Sequence, residues 1–310
     1  MRSPDMRRHA FLRVARGRIA GPAAFLLCAW LGWAADAERG SRSADLRSGA
    51  ASSIAQTTPG RRPALVAASI AATNSWKPNF PDTALVPLGR FVFERNCAVC
   101  HGRLGDGWGE LSRSLTPRPR DFTRGYFKFR STPSGSLPTD ADLRRTIREG
   151  LAGTAMPIFD QMEERDVRAV TEFIKSLSPR WQQRTNYAPP VVLPERQTWF
   201  DQAEPLKAQA EKGRQSYNQM CIACHGEDGS GNGPGAADLE DNWHRAIRPA
   251  DLRKPSIRRG REPEEIVRIL LTGMDGTPMI SFAELTTEEQ RWQLAAYVLQ
   301  LRKTAEVPPK

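Results

Sequence analysis

Histidine and cysteine are scarce in this chain of 310 residues, which holds four of the first and five of the second. Cys28 lies in an N-terminal apolar run. The other four cysteines stand as two Cys-x-x-Cys pairs, Cys97 with Cys100 and Cys221 with Cys224. No further pair remains for a disulfide framework, so a fold stapled by bridges is excluded. A structural zinc is another use of such pairs, but it needs two more Cys or His ligands, and no second ligand pair follows either one. His9 falls near the N-terminus, and His101 and His225 directly follow the two pairs. Only His244 is left over, in the polar stretch Asp241-Asn242-Trp243-His244-Arg245. The net charge of +10 invites a nucleic-acid partner. Six arginines against two aspartates before residue 38 supply four of those charges, and the remainder is spread with mixed signs. With no nucleic-acid-binding motif present, that partner is set aside.

The scarce residues are placed with a pattern. Cys97-Ala-Val-Cys100-His101 returns as Cys221-Ile-Ala-Cys224-His225, and a C-x-x-C-H string reads as a c-type haem attachment site. Two thiols three positions apart sit about one helical turn from each other, so both can bond the vinyl groups along one side of a porphyrin. The adjacent histidine becomes the proximal iron ligand. Four of the five cysteines are thereby used, and two covalently attached haem c groups are implied.

The surroundings of the motif repeat as well. Gly89-Arg90 matches Gly213-Arg214, an offset of 124 residues that also relates Cys97 to Cys221. Gly105-Asp106-Gly107-Trp108-Gly109 matches Gly229-Ser230-Gly231-Asn232-Gly233, and Gly153-Thr154-Ala155-Met156 matches Gly276-Thr277-Pro278-Met279. Two copies with so long a period mean a duplicated domain. Helical patterning covers 87–99 and 206–223, helix starts stand at Thr139-Asp140 and at Glu262-Pro263, and closing helices are expected over 163–177 and 287–301. The fold class is all-α, with domains at 85–181 and 205–303. Residues 182–204, with three prolines, read as an extended linker, and 304–310 as a tail.

Residues 1–37 carry an arginine-rich start, an apolar run over 19–35 and Ala35-Asp36-Ala37, the layout of a secretory signal peptide. The same run, if retained, is a membrane anchor at the short end of the spanning range. Either way the mature protein is expected to be periplasmic or otherwise extracytoplasmic. Residues 38–84, rich in Ser, Ala, Thr, Arg and Pro, read as a disordered tether.

This layout resembles the class I cytochrome c family over about 85–181 and 205–303: a helix leading into CxxCH, a glycine-rich loop, then a methionine ahead of a C-terminal helix. The resemblance implies two small helical domains, each wrapped around one haem, with Met156 and Met279 as the sixth ligands opposite His101 and His225. Met156 lies 59 residues after Cys97, and Met279 lies 58 after Cys221. Met156 precedes Pro157, as family ligands often do, whereas Met279 precedes Ile280. Met162 and Met274 are rivals without counterparts in the other repeat, and His244 is a weaker candidate.

A closed His/Met haem passes electrons and leaves no site for oxygen or peroxide. The leading expectation is therefore an exported two-haem electron carrier between redox protein partners, without enzymatic activity of its own. A haem subunit of a membrane-bound oxidase or dehydrogenase complex would read the same way, and a two-haem peroxidase is the enzymatic rival. The elaborate basic segment 118–135 suggests docking on a dedicated partner, and the basic loop 253–261 offers a second surface. Arginines in either could instead face solvent or pair with haem propionates.

Overall fold

The computed structural model describes residues 76–254 and 259–306, with side chains to 303. All of them fall in the compact unit from Arg61 to Lys310. The expected leader with its apolar run 19–35, the tether up to residue 75 and the end of the tail lie outside the described residues. No strand occurs among the described residues; one bridge, Glu240 with Ala246, closes a loop.

In the first domain the helices are α1 (Val86–Asn96), the single turn α2 (Ala98–His101), α3 (Asp140–Glu149) and α4 (Glu164–Ser176). The second repeats them as α5 (Ala203–Met220), α6 (Ile222–His225), α7 (Pro263–Thr272) and α8 (Glu288–Glu306). Local chemistry sets the ends. Pro87 and Pro263 occupy the first turns of α1 and α7, where a missing N–H costs nothing. Thr139 and Asp142 cap α3 reciprocally.

One helix crossing builds each core. In the first domain α1 crosses α4, with Phe93 against Phe173 at a centroid distance of 5.0 Å. In the second α5 crosses α8, with Tyr217 against Tyr297 at 5.1 Å. These four aromatics obey the same 124-residue offset as the haem motifs. A glycine sits at each crossing: a Cβ on Gly89 would fall 1.9 Å from Ala169 O, and one on Gly213 would fall 2.0 Å from Gln293 O. Only a side chain of hydrogen lets the main chains approach so closely. The stripe of α4 expected from the 3.6-residue period is buried, with Val167, Val170, Phe173 and Ile174 in the core.

Three stretches differ from expectation. Residues 76–84, assigned to the tether, pack on the first domain: Asp82 N donates to Glu172 Oε2 at 2.8 Å, and Phe80 meets Tyr187 edge-on at 5.1 Å. The linker 182–204 is broken by short 3-10 turns and threads back, with Val191 N on Ser131 O at 2.7 Å and Phe200 buried beside Trp292. Buried aromatics hold it where composition alone suggested a spacer. Residues 304–306 continue α8 rather than starting a tail.

The basic segment 118–135 does dock, but on the second domain of its own chain. Arg130, whose side chain has no exposed surface, donates to Thr272 O at 2.6 Å and to Asp275 Oδ1 at 2.8 Å. Ser134 Oγ and Gly135 N donate to the same carboxylate. Arg145 pairs with Glu265 at 2.6 Å, and Arg259, from the second basic loop, pairs with Glu149. Trp108 meets two guanidinium groups, Arg118 at 4.5 Å and Arg245 of the second domain at 5.1 Å from its ring centre. Arg130, Arg145, Arg259 and Arg245 thus join the domains, while Arg118 lies against Trp108 of its own domain and lines the first domain's cavity.

Candidate functional site

Each motif forms because one helix stops and a new turn starts at its first cysteine. Cys97 N bonds Phe93 O at 2.8 Å, closing α1, while Cys100 N and His101 N both bond Cys97 O, at 3.1 and 2.9 Å. The second site copies this: Cys221 N bonds Tyr217 O at 2.8 Å, and Cys224 N and His225 N bond Cys221 O at 3.2 and 2.8 Å. The following loop wraps back over the turn, with Gly107 N on His101 O and Gly231 N on His225 O, each at 2.8 Å.

Both imidazoles are aimed by a main-chain carbonyl. His101 Nδ1 lies 2.9 Å from Arg120 O, and His225 Nδ1 lies 3.2 Å from Ala250 O. A carbonyl only accepts, so Nδ1 carries the proton and Nε2 keeps its lone pair for a metal. Burial pulls both histidines below their usual value of 6.5, so they are neutral, as an iron ligand must be. His101 also stacks on Phe122 at 4.5 Å. Burial pushes the Cys97 and Cys221 thiols up to about 12, with the neighbouring cysteine adding to it. Among the described residues no three His, Cys, Asp or Glu side chains converge on a metal position.

The two methionines sit in the same built turn. Leu151 N bonds Met156 O at 3.2 Å, Thr154 Oγ1 bonds Leu151 O at 2.8 Å, and Met156 N bonds Thr154 Oγ1 at 3.1 Å. In the second domain Met274 N bonds Met279 O at 2.9 Å, Thr277 Oγ1 bonds Met274 O at 2.8 Å, and Met279 N bonds Thr277 Oγ1 at 3.2 Å. The threonine explains the small-residue signature, since its hydroxyl ties the turn at both ends. Met274 occupies the place of Leu151, which opens the turn, and Met162 packs on the first domain's core. Neither stands where Met156 and Met279 stand. The side chain of His244 is 91% exposed and lies beside Glu240.

In the first domain Cys97, Cys100, His101 and Met156 line one cavity of about 290 Å³, otherwise walled largely by apolar side chains such as Leu115, Phe122 and Ile147. Thiols, imidazole and thioether around one apolar space are the donor set a covalently attached haem requires. In the second domain Cys221 and Met279 pack against the same apolar core as Tyr217 and Leu270.

Reading the chain by motif passes over the two carbonyls that aim the histidines. Their signal is a further repeat, Arg118-Pro119-Arg120-Asp121-Phe122 against Arg248-Pro249-Ala250-Asp251-Leu252. It runs at an offset of 130 instead of 124, so alignment on the haem motifs conceals it. The structure confirms the equivalence, because Phe122 N bonds Gly105 O and Leu252 N bonds Gly229 O, both at 2.7 Å.

Known proteins match this arrangement. The family model described as Cytochrome c matches residues 86–178, and that described as Cytochrome C oxidase, cbb3-type, subunit III matches residues 208–298. The Cbb3-type cytochrome c oxidase subunit CcoP of Azospirillum brasilense is 26% identical over 157 residues, covering 46% of this chain. The chain spans 40% of the length of that curated relative. A chain of the Kuenenia stuttgartiensis reducing HAO-like protein complex is 38% identical with a TM-score of 0.63, over 69% of this chain and 95% of that one.

Proposed function

We propose, from the premise that this chain belongs to the class I c-type cytochromes as a member with two tandem domains and two covalently bound haem c groups, that it relays single electrons between redox proteins. In this reading Cys97 and Cys100 would hold the first haem, and His101 and Met156 would bind its iron. Cys221 and Cys224 would hold the second, with His225 and Met279 on its iron. One observation carries the reading: the turn that presents a methionine has the same hydrogen bonds in both domains.

The haem iron supplies the one-electron couple, and the chain's residues decide how it is used. The carbonyls of Arg120 and Ala250 keep each imidazole neutral and oriented. The thioethers of Met156 and Met279 favour the reduced state relative to a second histidine, which raises the potential. They also occupy the position a peroxidase would keep open. Carbon monoxide binding to the fully reduced holoprotein tests this. An unchanged absorption spectrum is expected; a change in about half of the haem would overturn one methionine assignment and direct attention to peroxide turnover.

The two relatives are named as parts of an oxidase and of a reducing complex, which favours a haem subunit within a redox assembly over a freely diffusing carrier. We place it outside the cytoplasm, in accord with the leader-like residues 1–37. Among the described residues no helix is long and apolar enough to cross a membrane, so attachment to one falls to residues 19–35. N-terminal sequencing of the mature protein and native electrophoresis of detergent-solubilised membranes test both points. Migration only as a single small species would refute the assembly.

A further inference from the structure

Parts of both haem sites meet at one side chain, Trp243. Its indole N–H donates to Asp121 Oδ2 at 2.8 Å, and the guanidinium of Arg120 lies over the ring at 4.5 Å. Arg124 stands over it at 5.8 Å and donates to Asn242 O at 3.1 Å, while Tyr126 meets it edge-on at 6.4 Å. Arg120 is the residue whose carbonyl accepts from His101 Nδ1. Asp121 is buried and is held in turn by the main-chain N–H and hydroxyl of Thr123, at 2.8 and 2.6 Å. The side chains that grip the indole thus belong to the segment that aims the first site's histidine.

The benzenoid edge of the indole lies against Gly276, which begins the turn to Met279. A methyl group there would come within 2.9 Å of Trp243 Cζ3 and 3.1 Å of Arg120 Nη1. Asn242 N also donates to Gly276 O at 3.2 Å. The first domain has no counterpart of Trp243 in its sequence. From Gly233 to Arg248 the second domain is six residues longer than the first is from Gly109 to Arg118, and Trp243 stands in that longer loop. Packing between domains would be served by any apolar side chain. Glycine at 276 is required by the turn itself, as at Gly153 of the first domain, since both have positive φ; what is specific is an indole with its N–H satisfied, a cation on its face and its edge seated on that turn.

We propose that Trp243 is a positioning residue shared by the two haem sites. It holds the Arg120 segment on His101 and braces the Gly276–Met279 turn, so the surroundings of both irons depend on how one indole is seated. This builds on the ligation of the second haem by Met279 proposed above.

The test uses full-length holoprotein and the variants Trp243→Ala, Trp243→Phe and Gly276→Ala. Redox titration followed by absorbance reads the midpoint of each haem, and electron paramagnetic resonance of the oxidised protein reads the ligand geometry at each iron. Trp243→Ala is expected to shift both midpoints and both resonance signals. Trp243→Phe keeps the ring under Arg120, loses only the donor to Asp121, and should shift both by less. Gly276→Ala alters the second domain alone in sequence; φ there is +79°, so the second haem responds to strain in the turn itself, and because the new methyl meets both the indole and Arg120 Nη1, a response of the first haem is credited to the indole only if Trp243→Phe shifts that haem as well. Wild-type signals from either haem in these variants would overturn the proposal. Should Trp243→Ala fail to accumulate with haem, the other two decide by the same criterion. Met279→Ala keeps the two readings apart. Loss of the methionine–iron absorption band from the second haem upholds the ligation whatever Trp243 does, and its retention refutes the ligation alone.

Discussion

Replacing Gly89 or Gly213 with alanine sets two effects of opposite sign against each other. Glycine inside a helix is roughly 1 kcal/mol less favourable than alanine, so each replacement would stabilise the protein if the helices stood alone. At the crossings the added Cβ falls 1.9 Å from Ala169 O in one domain and 2.0 Å from Gln293 O in the other, where ordinary contact begins at 3.4 Å. The helices must part by about 1.5 Å, because the obstruction is main chain and has no rotamer to adopt. A gap of that size forfeits much of the dispersion attraction between facing side chains such as Phe93 and Phe173. Overpacking of cores costs about 1–3 kcal/mol where side chains can yield, and more where they cannot. After subtracting the helix term we expect a net loss of about 2–3 kcal/mol for each variant, or roughly 4–12 °C in thermal midpoint. Urea unfolding of the holoprotein, followed by circular dichroism, is the assay. Gly235→Ala is the comparison, since its Cβ would meet only Ala223, at 3.2 Å, and its cost should stay within about 1 kcal/mol. A midpoint for Gly89→Ala or Gly213→Ala equal to or above wild type would show that the helices do not cross as described.

Three further outcomes follow from the joint and the caps. Asp275→Ala strands the buried Arg130 guanidinium and should cost about 3–5 kcal/mol; Arg130→Met added to it should recover part of the loss, and simply additive costs in urea midpoints would refute the pairing. Burial pulls the Glu149 carboxyl up, but the hydrogen bond and charge of Arg259, helped by Arg145, outweigh it and hold the group below its usual 4.5. A lowered folded pKa contributes stability above the unfolded value that disappears as pH falls through the folded one. Glu149→Gln should therefore be less stable than wild type at neutral pH, with the difference closing below pH 4.5; a gap independent of pH would contradict this. Thr139→Ala removes the acceptor for Asp142 N at 3.1 Å and should cost about 1 kcal/mol. Asp142→Ala should cost about 2 kcal/mol, because it leaves the amides of Ser131 and Thr139, each now 2.9 Å from its carboxylate, without that acceptor. Equal midpoints for these two variants would refute the larger role of Asp142.

The sequence by itself determined whatever depends on a few neighbouring residues. The spacing of Cys97, Cys100 and His101 is a single helical turn, so the attachment site is written locally and survives in its second copy. The helices were legible because a cap, a proline or a buried stripe acts within a turn or two, as at Thr139 and Val167. The equivalence of Met156 and Met279 was legible in their shared Gly-Thr approach, whose hydroxyl ties the turn in both domains. Tertiary structure alone decided what main-chain atoms and long-range neighbours do. The carbonyls of Arg120 and Ala250 aim the two imidazoles, and a carbonyl has no letter in a sequence. A basic run such as 118–135 is the same string whether it faces water, a partner or a neighbouring domain. Only the fold places Asp275 and Trp243 against it. Tyr187, Phe200 and Phe80 likewise look like residues of loose connectors until the core they pack on is in view. Chemistry that acts along the chain was readable from its order; chemistry that acts across the joint needed the two domains in contact.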